Sequence, residues 1–244
     1  MEDGRRVLAV VPARSGSKGI PHKNLRALRG TSLIGWAGRT LGKLSFIDRR
    51  VISTDSAEYA REGERHGLDA PFLRPPELSG DRAGAVETVQ HAVREMERRD
   101  ATTYDVVLIV EPTSPFRLPD DVERCARRLL EPGVDSAVAV SELPTKAHPH
   151  KVLRLDGANL TFYEAAGRSV VARQALDRLY WRNGVCYALT RRCLMELGVI
   201  FGPVCRAEVI EHPVANIDEE WELEWAEWQL ARGVLDIDGS GGST

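Results

Sequence analysis

The sequence predicts an α/β fold, a three-layer sandwich in which helices cover both faces of a mostly parallel central sheet. Short apolar runs such as 7–11 (VLAVV) and 106–110 (VVLIV) contain no polar residue, as expected of strands buried on both faces. These runs alternate with segments whose apolar residues recur at helical spacing. Such strand–helix alternation indicates parallel strands joined by crossover helices, the arrangement of a Rossmann-like sheet.

Predicted strands and helices alternate along most of the chain. After strand 7–11, helical spacing over 31–44 predicts a helix, and 49–55 predicts the second strand. The helix over 56–67 has Ser56 as a suitable N-cap and Gly67 as a suitable stop. The remaining predictions are helix 83–99, strand 104–110, helix 119–130, strand 134–143, strands 183–189 and 206–217, and helix 219–233.

The alternation weakens between Pro144 and Arg182. Within this stretch, residues 150–162 predict a small hairpin around Asp156-Gly157. We therefore predict one domain over residues 1–233, interrupted by an insertion at about 144–182. The glycine- and serine-rich residues 234–244 are predicted to be a flexible tail.

Composition excludes several classes of protein. The net charge is −3, from 33 Lys and Arg against 36 Asp and Glu, which argues against a nucleic-acid or membrane-surface protein. No apolar run approaches the roughly 20 residues of a membrane helix. None of the four cysteines has CxxC spacing, so we expect reduced thiols and a cytoplasmic protein.

A basic, glycine-containing loop follows the first strand. In 12–19 (PARSGSKG), glycines allow several backbone N–H groups to point at one anion, and Arg14, Lys18 and the nearby Lys23 add positive charge. The loop matches neither GxxxxGK[ST] nor GxGxxG. A nucleotide triphosphate is the expected ligand; the alternative is a basic surface loop that merely contains glycines.

Seven blocks of sequence, in order, carry a family resemblance. They are VVPARSGSKGIPHKN, STDSAEYAREGERHG, LRPPELSGDRAGAVETVQHAV, EPTSPFR, HPHK, RQALDRLYWRNGVCYAL and NIDEEWELEWAE. Together they span about residues 7–231, and the chain resembles the acylneuraminate cytidylyltransferases, the CMP-sialic acid synthetases. The resemblance implies transfer of CMP from CTP to the anomeric hydroxyl of a nonulosonic acid, with release of pyrophosphate.

The same resemblance implies roles for individual residues. Catalytic roles fall on Arg14, Lys18, Lys23 and Asp218. Nucleotide binding falls on Ala13, Arg14, Ser15, Gly16, Ser17, Lys18, Asn24, Arg74, Ala83 and Ala85. Acceptor binding falls on Glu111, Lys151, Arg173, Gln174, Asn183 and Tyr187. The insertion corresponds to the family's small dimerisation arm, which implies a homodimer in which one subunit's arm helps to close its partner's site.

Two positions depart from the family's usual pattern. Glu111 stands where the family commonly has glutamine, so a carboxylate would face the sugar acid unless it points elsewhere or meets an amine. Asn216-Ile217-Asp218 replaces the usual Asp-x-Asp metal motif. Mg²⁺ commonly uses one or two protein carboxylates with phosphate oxygens, so Asp218 with Asn216 is still the expected site, with weaker binding. The alternative is that both residues only cap the final helix.

Two other functions remain open at the level of sequence. One is a nucleotidyltransferase of the same fold that uses Kdo, a sugar 1-phosphate or another base. The other is a non-catalytic nucleotide-binding homologue. The loop EPTSPFR counts against Kdo, since Kdo-activating relatives differ there, whereas Glu111 and Asn216 keep both alternatives in play.

Overall fold

A six-stranded sheet forms the centre of the protein in a computed structural model that describes residues 4–17, 19–80, 83–169 and 176–237. Its strands are β1 (Val7–Pro12), β4 (Arg49–Ser53), β5 (Val106–Ile109), β6 (Ser136–Glu142), β9 (Tyr180–Thr190) and β10 (Cys205–Val209). They lie in the order β10-β6-β9-β5-β1-β4. Strand β9 runs antiparallel to both neighbours, and the other pairs are parallel.

The described residues form five α-helices. They are α1 (Leu33–Gly42), α2 (Ala57–Arg65), α3 (Ala85–Asp100), α4 (Pro119–Arg127) and α5 (Glu220–Ala231). Two short strands, β2 (Ala27–Leu28) and β3 (Thr31–Ser32), pair with each other before α1. Ser56 caps α2 as predicted, because its Oγ accepts a hydrogen bond from the Tyr59 backbone N–H.

Alternate residues of β1 face two separate apolar cores. Val7, Ala9 and Val11 pack with residues of α1, α2 and α4 on one face of the sheet. Leu8 and Val10 pack with α3 on the other face. Because both faces are buried, the strand has no polar residue, which confirms the predicted α/β sandwich with helices on each side.

The structure differs in three segments from the sequence predictions. The last strand ends at Val209, and residues 210–218 are irregular, so Asn216 and Asp218 follow a loop rather than the strand. Residues 180–182, predicted as part of the insertion, begin β9. In the predicted flexible tail, Leu235 and Ile237 pack with the apolar cluster that contains Trp36 and residues of α5, while residues 238–244 lie outside the described residues.

The segment between β6 and β9 carries a small hairpin. Its strands are β7 (Leu153–Asp156) and β8 (Asn159–Phe162), paired around Asp156-Gly157 as predicted. All eight strand residues are exposed. No helix among the described residues is long and apolar enough to cross a membrane.

Candidate active site

A cavity of about 650 Å³ opens beyond the carboxyl ends of β1 and β5, where ligands bind in open α/β sheets. Its wall combines the loop after β1, the Arg74 loop, the start of α3, the loop after β5, the first part of β9 and the segment before α5. The residues that line it are Pro12, Arg14, Ser17, Gly19, Lys23, Asn24, Arg74, Ala83, Ala85, Thr88, Val89, Ile109, Glu111, Pro112, Thr113, Arg182, Gly184, Tyr187, Ile200, Asn216, Asp218 and Glu219.

Hydrogen bonds connect the loop after β1 to Asp55, which follows the end of β4. The backbone N–H of Ser15 donates to Asp55 Oδ1 at 2.9 Å, and Ser15 Oγ donates to Asp55 Oδ2 at 2.8 Å. Asn24 Nδ2 donates to the Arg14 carbonyl at 3.3 Å. Ser15 therefore shapes the loop, while Arg14 and Ser17 line the cavity.

Three other predicted nucleotide-binding residues, Ala13, Gly16 and Lys18, are not among the residues that line the cavity. Ala13 is fully buried, does not line the cavity, and donates its backbone N–H to the Ser53 carbonyl at 2.9 Å. Gly16 is exposed at the loop tip. Lys18 lies outside the described residues.

The loop after β1 also packs directly on the segment before α5. A Cβ at Gly19 would lie well inside van der Waals distance of the Asp218 carbonyl oxygen, so only glycine allows this approach. Lys23 Nζ lies 2.5 Å from Asp218 Oδ1, and the Ile217 backbone N–H donates to the Thr113 carbonyl at 2.8 Å. These contacts bring the predicted phosphate-binding and metal-binding residues together on one wall.

Arg74 is a buried cation without a protein partner for two of its donors. Its side chain lines the cavity, the residue is only 6% exposed, and Nε and Nη2 have no hydrogen-bond acceptor among the described residues. Burial lowers the pKa of the guanidinium, and Arg14 lowers it further, whereas Asp55 opposes the shift. Asn24 Oδ1 is likewise buried without a donor. Buried polar atoms left unpaired at a cavity wall point to a polar ligand.

The other half of the cavity contains Glu111, Arg182 and Tyr187. Burial raises the pKa of the Glu111 carboxyl, while Arg117, a hydrogen bond with Tyr187 and the charge of Arg182 oppose that rise. The fully buried Arg117 fixes the local backbone, because Nε donates to the Val185 carbonyl at 2.5 Å and Nη2 to the Glu111 carbonyl at 2.6 Å. Desolvation lowers the pKa of Arg117 to about 10.

A bulge in β9 shapes this half of the cavity. The register with β6 shifts between Val138 and Val140, which face Tyr187 and Arg182 respectively. Gly184 lies in the bulge with φ +72°, and a Cβ there would be 2.5 Å from Ser114 Oγ and 2.6 Å from Glu111 Oε2. Bulges of this kind commonly re-aim side chains beside active sites.

The structure separates several predicted acceptor-binding residues from the cavity. Asn183 is fully buried, with Nδ2 donating to Ser141 Oγ at 2.9 Å and Oδ1 accepting from the Val185 N–H at 3.1 Å, so its amide is used inside the sheet. The amide of Asn183, which the resemblance predicts to bind or frame the acceptor, therefore does not line the cavity. Lys151 is exposed and does not line the cavity. Arg173 and Gln174 lie outside the described residues.

Sequence reasoning did not single out Arg182, and it pointed to Asp55 only as part of the polar cluster STDS after the second strand. Arg182 is the exposed residue next to the buried Asn183, and the strand pattern alone does not show that a bulge turns it toward the cavity. Asp55 does not line the cavity, and it acts through Ser15, whose backbone N–H and hydroxyl both donate to it.

Comparison with known proteins decides the family of the chain. Residues 8–198, most of the sequence, match the family profile described as Cytidylyltransferase. The chain belongs to the cytidylyltransferase family. The match confirms the resemblance that the seven sequence blocks carry, and it makes the chain a nucleotidyltransferase enzyme.

Individual relatives cover nearly the whole chain. The CMP-N,N'-diacetyllegionaminic acid synthase of Legionella pneumophila is 28% identical over 221 residues, covering 91% of this chain and 94% of that protein. The N-acylneuraminate cytidylyltransferase of Escherichia coli is 25% identical over 224 residues, covering 91% of this chain but 51% of that longer protein.

A solved structure shares the fold. The CMP:2-keto-3-deoxy-manno-octonic acid synthetase, solved in complex with CTP, superposes with a TM-score of 0.70, covering 93% of this chain and 99% of that one. At 15% identity this likeness establishes the Rossmann-like cytidylyltransferase fold alone.

Proposed function

We propose that this cytidylyltransferase transfers CMP from CTP to the anomeric hydroxyl of a sialic-acid-like nonulosonic acid and releases pyrophosphate. The observation that carries the proposal is one cavity with two unlike halves. One half holds Arg14, Lys23 and the unpaired donors of Arg74, and the other holds Glu111 and Arg182. The names of the relatives from Legionella and Escherichia support this choice of acceptor.

The residues of the first half suit a nucleotide triphosphate. Arg14 and Lys23 supply positive charge, with Lys18 added by the sequence prediction, and positioned cations stabilise the charge that develops in phosphoryl transfer. The unpaired donors of Arg74 suit a carbonyl oxygen of a base. Ala83 and Ala85 have small side chains that allow a flat ring to approach the backbone. The acceptor hydroxyl then attacks the α-phosphorus directly, which requires no covalent enzyme intermediate.

The residues around Asp218 fit Mg²⁺. The Asp218 side chain is 61% exposed and lines the cavity together with Asn216, so a carboxylate and a side-chain amide lie on the wall next to the proposed triphosphate. Mg²⁺ commonly takes one or two carboxylates and completes its shell with phosphate oxygens and water. When bound, the ion would neutralise phosphate charge. Lys23, already paired with Asp218, would hold that carboxylate in place.

The exposed hairpin supports a homodimer as part of the proposal. Cross-strand partners share a face, so the pairs Leu155–Leu160 and Leu153–Phe162 place four apolar side chains on one side of it. Leu155 is 66% exposed and Leu160 64% exposed. A two-stranded hairpin is marginally stable alone, so we propose that a second copy covers this face. Lys151, near the base of the hairpin, would then approach the partner's cavity.

The cytoplasm is the proposed compartment. All four cysteines, Cys125, Cys186, Cys193 and Cys205, are free thiols. Three of them are buried, and a reducing compartment keeps such thiols unpaired.

Pyrophosphate release tests the proposed reaction. The enzyme would receive Mg²⁺ and CTP, ATP, GTP or UTP, each with N-acetylneuraminic acid, legionaminic acid, pseudaminic acid, Kdo or a sugar 1-phosphate. We expect release only with CTP and a nonulosonic acid, with the CMP-sugar identified by mass spectrometry. Lys18→Ala is the matched inactive variant, because the sequence predicts that Lys18 holds the triphosphate.

Other outcomes select the other functions. Turnover with Kdo, a sugar 1-phosphate or another nucleotide would replace the proposed acceptor or base. CTP binding without turnover on any acceptor would indicate a non-catalytic homologue. If Asn216→Asp then restored turnover, the altered metal motif would be the cause.

A further inference from the structure

Glu111 is an acidic side chain in the cavity wall with almost no protein partners. The Tyr187 hydroxyl lies near its carboxylate and lines the same cavity. Among the described residues no ion pair to this carboxylate is found, and Arg117 donates to the Glu111 backbone carbonyl. A largely buried carboxylate has about four acceptor positions, so most of this capacity faces the cavity.

The surrounding backbone keeps this carboxylate at the cavity wall. Gly184, with φ +72°, lies so close to Glu111 Oε2 that a Cβ there would displace the carboxylate. The Arg117 guanidinium binds the Glu111 carbonyl and the Val185 carbonyl, which fixes the Glu111 backbone against the bulge. The Ser114 N–H also donates to the Glu111 carbonyl at 3.2 Å. A side chain held in this way presents its oxygens to whatever occupies the acceptor half.

The acceptor half also contains a cation. Arg182 is exposed, lines the same cavity, and interacts electrostatically with Glu111 without forming a direct pair. A ligand that places an anion at Arg182 and a hydrogen-bond donor at Glu111 satisfies both. A ligand whose substituents are only acylamido and carboxylate groups places an anion at Arg182. It offers the carboxylate of Glu111 only neutral hydrogen-bond donors.

We infer that Glu111 selects an acceptor with a basic nitrogen substituent, an amine or an amidine, in place of an acylamido group. The inference rests on the proposed function, because it names the class of nonulosonic acid that the same site accepts. The acceptor's carboxylate would meet Arg182, and its cationic nitrogen would donate to Glu111. A charge-assisted hydrogen bond of this kind is stronger than one between neutral groups.

A matched pair of acceptors tests the inference. The two sialic-acid-like acids would differ only in one substituent, acetamido in one and the cationic acetamidino group in the other, placed at each nitrogen-bearing carbon in turn. The measurement is kcat/KM for pyrophosphate release with saturating CTP, using the wild type, Glu111→Gln, and Glu224→Gln as a carboxylate-to-amide control. Glu224 is exposed on α5 and does not line the cavity.

The expected result is a change in preference. The wild type should favour the acetamidino acceptor, and Glu111→Gln should lower the ratio of the two kcat/KM values by about tenfold or more, the range of a hydrogen bond to a charged group. The KM for CTP should stay within about twofold in both variants, which a general structural defect would not give. Glu224→Gln should keep the wild-type ratio.

Contrary outcomes separate the inference from the proposed function. If the wild type turns over an acceptor and Glu111→Gln leaves the ratio of the two kcat/KM values unchanged, the inference is wrong and the proposed function stands. The same holds if the wild type prefers the acetamido acceptor and loses that activity as pH rises, because Glu111 would then act as a neutral acid. Absence of turnover with both acceptors in every variant overturns the proposed function and the inference with it.

Discussion

Arg74 shows how a single residue can be costly to the free protein and useful to the complex. Its guanidinium is buried, two of its donors are unpaired, and burial lowers its pKa. An unpaired buried polar group costs about 1–3 kcal/mol, and more when it is charged. A ligand that pairs with these donors removes that cost, so the residue favours the bound state.

A change of Arg74 to an apolar residue should therefore have opposite effects on stability and binding. We expect Arg74→Met to leave the melting temperature of the free protein unchanged or raised, because the unpaired charge is gone. The stabilisation by CTP should fall, corresponding to about a tenfold or greater loss of affinity. Thermal melts with and without CTP measure both quantities. A lower melting temperature with an unchanged CTP shift would show that Arg74 is structural.

Gly19 gives a second test at the scale of one residue. Its missing Cβ is what lets the loop after β1 lie on the Asp218 carbonyl. Gly19→Ala should push the predicted phosphate-binding and metal-binding residues apart and lower kcat/KM by about 100-fold, the cost of roughly 1 Å of misplacement. Gly42→Ala is the matched control, because a Cβ there has no neighbour within 4 Å. Activity of Gly19→Ala close to that of the control would contradict this reading of the close approach.

At the scale of elements, the sequence predicted correctly those features that depend on neighbouring residues in the chain. The Ser56 cap and the burial of Val7–Val11 depend on neighbouring residues, and both predictions are confirmed. The antiparallel direction of β9 leaves no local trace, because any strand buried on both faces has the same pattern. Residues 206–217 were predicted as one strand, although Pro213 argues against a continuous one.

The site shows the same limit. Arg14, Lys23, Asn24 and Arg74 come together as the family blocks imply. Asn183 was assigned to the acceptor from the family resemblance, and the structure shows its amide bonded inside the bulge of β9 instead of lining the cavity. The sequence pattern does not show this bulge, so it did not single out Arg182 either.

An ion pair between two elements should make stability depend on pH. His212, in the segment after β10, lies with Nε2 2.8 Å from Asp121 Oδ2 on α4 and Nδ1 3.0 Å from the Pro213 carbonyl. Two acceptors favour the imidazolium. Although burial opposes the shift, the net result is a raised pKa for His212, while hydrogen bonds from His212 and Leu118 help to lower the pKa of Asp121.

The sign of the pH dependence follows from these two shifts. The contribution of His212 is fully present below its unfolded pKa, near 6.5, and is lost as pH rises through the higher folded value. The lowered pKa of Asp121 keeps that carboxylate charged into mild acid. His212→Asn should therefore lower the melting temperature most at about pH 6 and least at about pH 8.5. An equal loss at both values would show that the pair contributes no charge-dependent stability.

At the scale of the whole molecule, the central sheet and the hairpin differ in how far they are buried within one copy of the chain. The sheet is buried on both faces within one copy, whereas every residue of the hairpin strands is exposed. The opposite face of the hairpin is polar, since it carries Arg154, Asp156, Asn159 and Thr161. An amphipathic hairpin away from its own core is the feature that a second copy would complete.

This arrangement predicts that one charge on the apolar face separates the two copies. Leu160→Asp places a carboxylate among Leu153, Leu155 and Phe162, where burial without a partner is unfavourable. Sedimentation equilibrium should show a dimer for the wild type and a monomer for Leu160→Asp, with Thr161→Asp, on the polar face, remaining dimeric. Because the partner's hairpin would help to close the cavity, we also expect Leu160→Asp to raise the KM for the acceptor more than the KM for CTP. A wild type that sediments as a monomer, or a Leu160→Asp variant that remains a dimer, would remove the hairpin from the interface.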